Sequence, residues 1–242
     1  MTNQRGFSLI ELAIVLVIVT LLIGGLAVPL SAQIQARRIA ETNKTMEEAR
    51  EAIMGYAMTH SVDHDSDSTT PPRPYLPCPD SDGDGIENRD AASGNCTQDA
   101  GWFPWVTLGT AAQDAWGNRL RYASQPELTN SLAGFSNSTT PPPTGWYNVC
   151  SSQTCTPVDV AADVPVVLIS HGPNGWGARN INSNTLANPT GANEIKNLDA
   201  DNRYVSRAPA KPDDPSGEFD DLTNWLAFNL IINRVCPAGG CP

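Results

Sequence analysis

From Leu9 to Val28 the residues are almost all Leu, Ile, Val and Ala, and Glu11 is the only charge among them. Counted from Phe7 the run is 22 residues, about 33 Å as a helix rising ~1.5 Å per residue. That matches the thickness of a bilayer's hydrocarbon core. A secretory signal peptide would place a small-residue cleavage site after an apolar region of roughly 7–15 residues. Here the small residue, Gly6, stands before the run, with Arg5 beside it. A cut after Gly6 leaves the helix on the mature chain and makes Phe7 its first residue. Glu11 then requires an explanation, because a carboxylate at membrane depth is costly and is normally paired. The nearest cation is the new amino group of Phe7, one helical turn away or on a neighbouring subunit.

The segment GFSLIELAIVLVIVTLLIGG resembles the class III signal of type IV pilins and type II secretion pseudopilins. The resemblance implies that prepilin peptidase cuts after Gly6 and methylates Phe7, and that Glu11 serves filament assembly. It implies a protein held in the bacterial inner membrane by one helix, with a periplasmic C-terminal domain. That protein would then enter a periplasmic pseudopilus or a cell-surface pilus. The implied partners are other pilins or pseudopilins, as homo- or hetero-oligomer, and an inner-membrane assembly platform.

The formal net charge of −11 argues against nucleic acid as a partner, which calls for a basic surface. Removing residues 1–6 takes away one arginine and brings the side-chain charge to −12. The acidic excess lies after residue 60, in loop-like sequence, and favours metal ions or basic partners. Six cysteines, Cys78, Cys96, Cys150, Cys155, Cys236 and Cys241, all lie in that region. An even count in a translocated domain points to disulfides. Six cysteines allow 15 pairings, of which proximity favours Cys78–Cys96, Cys150–Cys155 and Cys236–Cys241. Zinc is the weaker reading, since no CxxC is present.

The expected fold is α+β: a long N-terminal helix packed on a small antiparallel sheet, with long disulfide-stapled loops. The segments are a leader (1–6), a membrane or filament-core helix (7–28), an amphipathic stalk helix (29–59) and a globular head (60–242). Gly24, Gly25 and Pro29 weaken the helix locally. Beyond them Ile34, Ile39, Met46, Ile53 and Tyr56 recur at roughly helical spacing, a stripe suited to core contact. Residues 60–77 read as a polar, Pro-rich linker. Strands are expected over 119–123, 145–150 and 164–170. For 224–234 a strand or a short helix is possible, and the β-branched second half favours strand.

Four motifs carry candidate chemistry. Asp114-Ala-Trp116-Gly117-Asn-Arg-Leu-Arg-Tyr122 resembles the DxWGxxxxY element of major pseudopilins, a turn into the first strand of the sheet. Ser170-His171-Gly172-Pro-Asn-Gly175 resembles the SxGxxG turn that leads into those proteins' calcium loop. A Ser–His hydrolase pair is disfavoured there, because adjacent strand residues face opposite ways. Asp220-Asp221-Leu-Thr-Asn-Trp225 resembles the end of the same loop. By that resemblance Asp220 and Asp221 are calcium ligands, with Ser170 and Asp199 or Asp201 behind them. The fourth motif stands apart. Asp80, Asp82 and Asp84 occupy positions 1, 3 and 5 of an EF-hand-type loop, with Gly85 at 6, Ile86 at 7 and Asn88 at 9. Position 12 is Ala91, so Glu87 or Asp90 would have to replace the usual acidic ligand. One or two Ca²⁺ sites are therefore expected.

No nucleophile–base pair, catalytic zinc motif or phosphate loop stands out, so the chain reads as a filament subunit rather than an enzyme. The alternative is a binding or adhesion module at the tip of a type IV pilus, which the large, loop-rich head would suit.

Overall fold

The computed structural model describes residues 8–63, 71–236 and 241, and at 25–29 the helical backbone alone. The chain divides into two compact units, residues 1–40 and 41–242.

Helix α1 (Leu9–Thr59) begins in the first unit and ends in the second, and its helical assignment continues through Gly24, Gly25 and Pro29. In the first unit the large apolar side chains from Leu9 to Ile23 are exposed. Among the described residues no helix is long and apolar enough to cross a membrane.

The second unit is built in layers. After α1 come β1 (Ser61–Val62), β2 (Arg73–Pro74), β3 (Ala100–Trp102), α2 (Trp105–Leu108), β4 (Arg121–Ser124), α3 (Pro126–Thr129) and β5 (Tyr147–Cys150). Then follow β6 (Ala161–Val164), β7 (Val166–Ser170), α4 (Ala192–Lys196), β8 (Arg203–Val205), β9 (Leu222–Leu226) and α5 (Phe228–Val235). A four-stranded antiparallel sheet has the order β3-β4-β7-β9, and a three-stranded sheet the order β6-β5-β8. Strand β7, VVLIS, is buried along its whole length, because it serves two cores. Val166 and Leu168 pack with Met46, Ala49, Ile53 and Ala57 of α1. Val167 and Ile169 pack with Tyr147, Val149 and Val164 of the other sheet and with Tyr204. Successive strand residues face opposite ways, so an unbroken apolar run is what a strand between two layers requires.

Three sequence expectations need correction. The run 164–170 is not one strand: Pro165 divides it, and β6 pairs with β5 while β7 pairs with β4 and β9. Proline has no N–H to give to a ladder, which makes it a natural corner between sheets. The sheets are not wholly antiparallel, since β5 and β8 run parallel. Finally, the second half of 224–234 is helix α5, not strand. Ile231 and Val235 are both buried there, four residues apart on one helical face. Packing of that face outweighs the β preference of Ile and Val.

The bridges Cys78–Cys96, Cys150–Cys155 and Cys236–Cys241 are formed. Within 60–77, β1 and β2 form an antiparallel ribbon, and Leu76 is fully buried in the helix-side core.

Candidate functional site

At the start of α1, Ser8 and Glu11 form a reciprocal capping box. Ser8 N–H donates to Glu11 Oε2 at 2.8 Å, and Glu11 N–H donates to Ser8 Oγ at 3.3 Å. The sequence S-x-x-E satisfies two of the amides that any helix start leaves open. The processing positions Gly6 and Phe7 lie outside the described residues.

The Asp114 motif is the structural hub of the head. Asp114 Oδ1 accepts the amides of Trp116 and Asn118, both at 2.9 Å. Its Oδ2 accepts Ser170 Oγ–H at 2.6 Å. Gly117 sits at φ 86°, where a glycine is the least strained residue. Thr42 of α1 accepts the Ala115 amide at 3.2 Å. One buried carboxyl thus joins the turn into β4 to the end of β7, and burial pushes its pKa up. Ser170 and His171 take different partners: Ser170 bonds Asp114, while His171 Nδ1 lies 3.3 Å from Asp221 Oδ1.

Two clusters bring three carboxylates within 4.8 Å of one another among the described residues. The first is Asp80, Asp82 and Asp84. Asp80 is fully buried, and its Oδ1 accepts the amides of Asp82 (3.1 Å) and Gly83 (2.6 Å). Its Oδ2 accepts the Gly85 amide at 2.8 Å, and burial pushes its pKa up. Asp82 and Asp84 are exposed and accept the amides of Asp84 (3.2 Å) and Ile86 (2.7 Å). Asn88 Oδ1 accepts the Ser81 amide at 2.6 Å. Two guanidinium groups clamp this loop, Arg179 donating to Asp82 O at 2.6 Å and Arg119 to Gly83 O. A Cβ on Gly83 would come within 1.9 Å of Arg179 Nη1, so the clamp needs glycine there. Glu87 is committed elsewhere, accepting Tyr56 O–H and the Cys78 amide, each at 2.7 Å. Asp90 accepts the Ala92 amide (3.0 Å) and Ser93 Oγ–H (2.8 Å).

The second cluster is Glu194, Asp220 and Asp221. It forms where the turn after β7 meets the strand entry into β9, with α4 laid over both. Gly172, at φ 57°, permits the approach, since a Cβ there would meet Asp220 O at 2.2 Å. Asp220 Oδ2 accepts the Asn174 amide at 3.1 Å. Glu194 Oε1 accepts the Asp220 amide (3.0 Å) and Asn174 Nδ2–H (3.3 Å). Asp221 Oδ2 accepts Asn197 Nδ2–H at 2.8 Å. The remaining oxygens of the first two, Asp220 Oδ1 and Glu194 Oε2, are buried with no hydrogen-bond partner. Among the described residues no Lys or Arg side chain bonds any of the three carboxylates. Burial, reinforced by the neighbouring carboxylates, pushes Glu194 and Asp220 each up to about 7.

The structure therefore gathers Asp220 and Asp221 but leaves Ser170, Asp199 and Asp201 out of the three-carboxylate group. Ser170 is taken by Asp114. Asp199 and Asp201 flank Lys196 Nζ, which already supplies a cation. Glu194 was not apparent in the sequence. It sits alone in ANEIK, inside the segment between Gly175 and Asp220, with no motif spacing to mark it.

Residues 1–27 match the family model described as the Prokaryotic N-terminal methylation motif. This agrees with a type IV pilin-like or pseudopilin precursor that prepilin peptidase processes. No curated protein and no solved structure matches the chain.

Proposed function

We propose that this protein is a filament subunit of the pilin or pseudopilin kind, anchored in the inner membrane by residues 7–28 until it assembles. The observation that carries this reading is the methylation motif over 1–27, on a helix whose large apolar side chains from Leu9 to Ile23 are exposed. An apolar helical surface of that extent needs lipid or neighbouring helices around it. Prepilin peptidase removes residues 1–6, the apolar helix passes from bilayer to filament core, and the head is displayed on the periplasmic side. Type II secretion is the favoured setting, on the likeness of the Asp114, Ser170 and Asp220 motifs to the major pseudopilins. The test is co-expression with a prepilin peptidase, read by intact mass. The expected product lacks residues 1–6 and carries one methyl group on Phe7, and Glu11→Ala is cut normally but does not enter filaments. An uncut chain, or normal filaments from Glu11→Ala, would refute the processing or the assembly role respectively.

The cofactor we propose for the head is Ca²⁺, held by the Asp220–Asp221 segment. Calcium takes six to eight oxygen ligands at flexible geometry. The buried, unpartnered oxygen of Asp220 is the kind of group that such an ion satisfies. The Asp80–Asp82–Asp84 loop offers a second, more exposed carboxylate set. Calcium should raise the thermal midpoint of the head and chelation should lower it; an unchanged midpoint refutes both sites.

A further inference from the structure

We infer that Glu194 is a ligand of the cation bound by Asp220 and Asp221, and that this cation ties the segment 176–219 to the edge of the core sheet. The inference rests on the calcium reading above and adds to it a residue and a mechanical role. Glu194 is 1% exposed. One of its oxygens is fixed by the Asp220 amide and the Asn174 side chain, and the other, Oε2, has no partner. Asp220 shows the same division, with Oδ2 on the Asn174 amide and Oδ1 unpartnered. Buried polar atoms are almost always satisfied, and two orphan carboxylate oxygens in one cluster are a poor arrangement for a protein without a ligand. The backbone and Asn174 amides hold both side chains from behind, which sets the free oxygens in advance. His171 meets Asp221 from one side and Asn197 from the other, an outer arrangement that orients a coordinating carboxylate.

The mechanical consequence follows from where the ligands sit in the chain. Asp220 and Asp221 directly precede β9, in the core sheet. Glu194 belongs to α4, inside the long segment between Gly175 and Asp220. Asn197, from the same segment, accepts the Val205 amide at 2.7 Å and donates to Asp221, so the cation and β8 share one support. A bound ion would close a loop of roughly 26 residues from Glu194 to Asp220, and closing loops of that size restrains the chain appreciably.

The test uses the full-length protein in detergent micelles, with Asp82→Asn and Asp84→Asn silencing the other acidic loop. Terbium serves as the luminescent probe and calcium as the competitor, and trypsin cleavage of the Arg207–Ala208 bond reports on the segment. Calcium is expected to protect that bond. Glu194→Gln, which keeps the side chain's size and one acceptor oxygen, should weaken calcium binding at least tenfold and abolish the protection. It should also admit at least one more water to bound terbium, read from luminescence lifetimes in H₂O and D₂O. Glu194→Asp, too short to reach, should show the same extra water if the glutamine variant folds poorly. Unchanged affinity, protection and water count in the variants would overturn the role of Glu194 while leaving a cation at Asp220–Asp221. A parent protein that binds neither terbium nor calcium overturns the cation reading itself, and this inference with it.

Discussion

Replacing Asp114 should expose how much of the head depends on one carboxyl group. Asp114→Ala removes three hydrogen bonds, to the Trp116 amide, the Asn118 amide and the Ser170 hydroxyl. At about 1 kcal/mol net for each, with more for any bond to the ionised form, the expected loss is roughly 3–4 kcal/mol. In a domain of this size, that corresponds to a fall in thermal midpoint on the order of 10 °C. Ser170→Ala removes the 2.6 Å bond alone and should cost about 1–1.5 kcal/mol. Because the two variants delete the same contact, the double variant should be more stable than additivity predicts by about 1 kcal/mol. All six tryptophans lie after residue 100, so denaturant titration followed by tryptophan fluorescence reads the head and not the apolar helix. Strict additivity, to within about 0.5 kcal/mol, would show that the Ser170–Asp114 bond carries no stability. It would also return Ser170 to the pool of possible cation ligands.

In chelator, stability should depend on pH through Glu194 and Asp220, whose folded pKa values of about 7 stand above their ordinary values. A raised carboxyl pKa favours the protonated folded state, so the contribution is complete below about pH 4 and is lost as pH rises through 7. Metal-free protein should therefore melt higher at pH 5.5 than at pH 8, and excess calcium should shrink that difference; the opposite slope in chelator would refute it. Ile53→Ala, at a fully buried site in the helix-side core, should cost about 2–5 kcal/mol in the same denaturant assay. Replacing Cys78 and Cys96 by Ser opens a bridge spanning 18 residues. It should cost about 3 kcal/mol, and clearly more than opening Cys150–Cys155, which spans 5.

What the residues disclosed and what they concealed divide along the range of the forces involved. Helix α1 and strands β4, β5 and β7 follow from spacing within a few residues, and the three bridges from proximity along the chain, at separations of 18, 5 and 5 residues. So does the turn at Asp114, whose carboxylate caps amides two and four positions ahead. For the second half of 224–234 the sequence favours strand over the short helix it also allows, because propensity and packing disagree there, and packing against Trp146 and the core decides for helix α5. The corner at Pro165 was visible as a proline, yet nothing local says that the flanking strands belong to different sheets. Glu194 escaped most completely. Its partners lie 20 and 26 positions away, and no periodicity links residues at such distances. In the Asp80 loop the spacing was legible, whereas the arginines that clamp it come from positions 119 and 179.

Each of the three bridges joins near neighbours, at separations of 18, 5 and 5 residues. Encounter between two thiols becomes rarer as the chain between them lengthens, so near-neighbour pairs meet first. Of the 15 pairings open to six cysteines, the native set is the one that a still-unfolded chain reaches soonest. Oxidation can then precede assembly of the helix and the two sheets without trapping a wrong topology. A chain emerging across a membrane in extended form would need an electron acceptor but little reshuffling of its bonds.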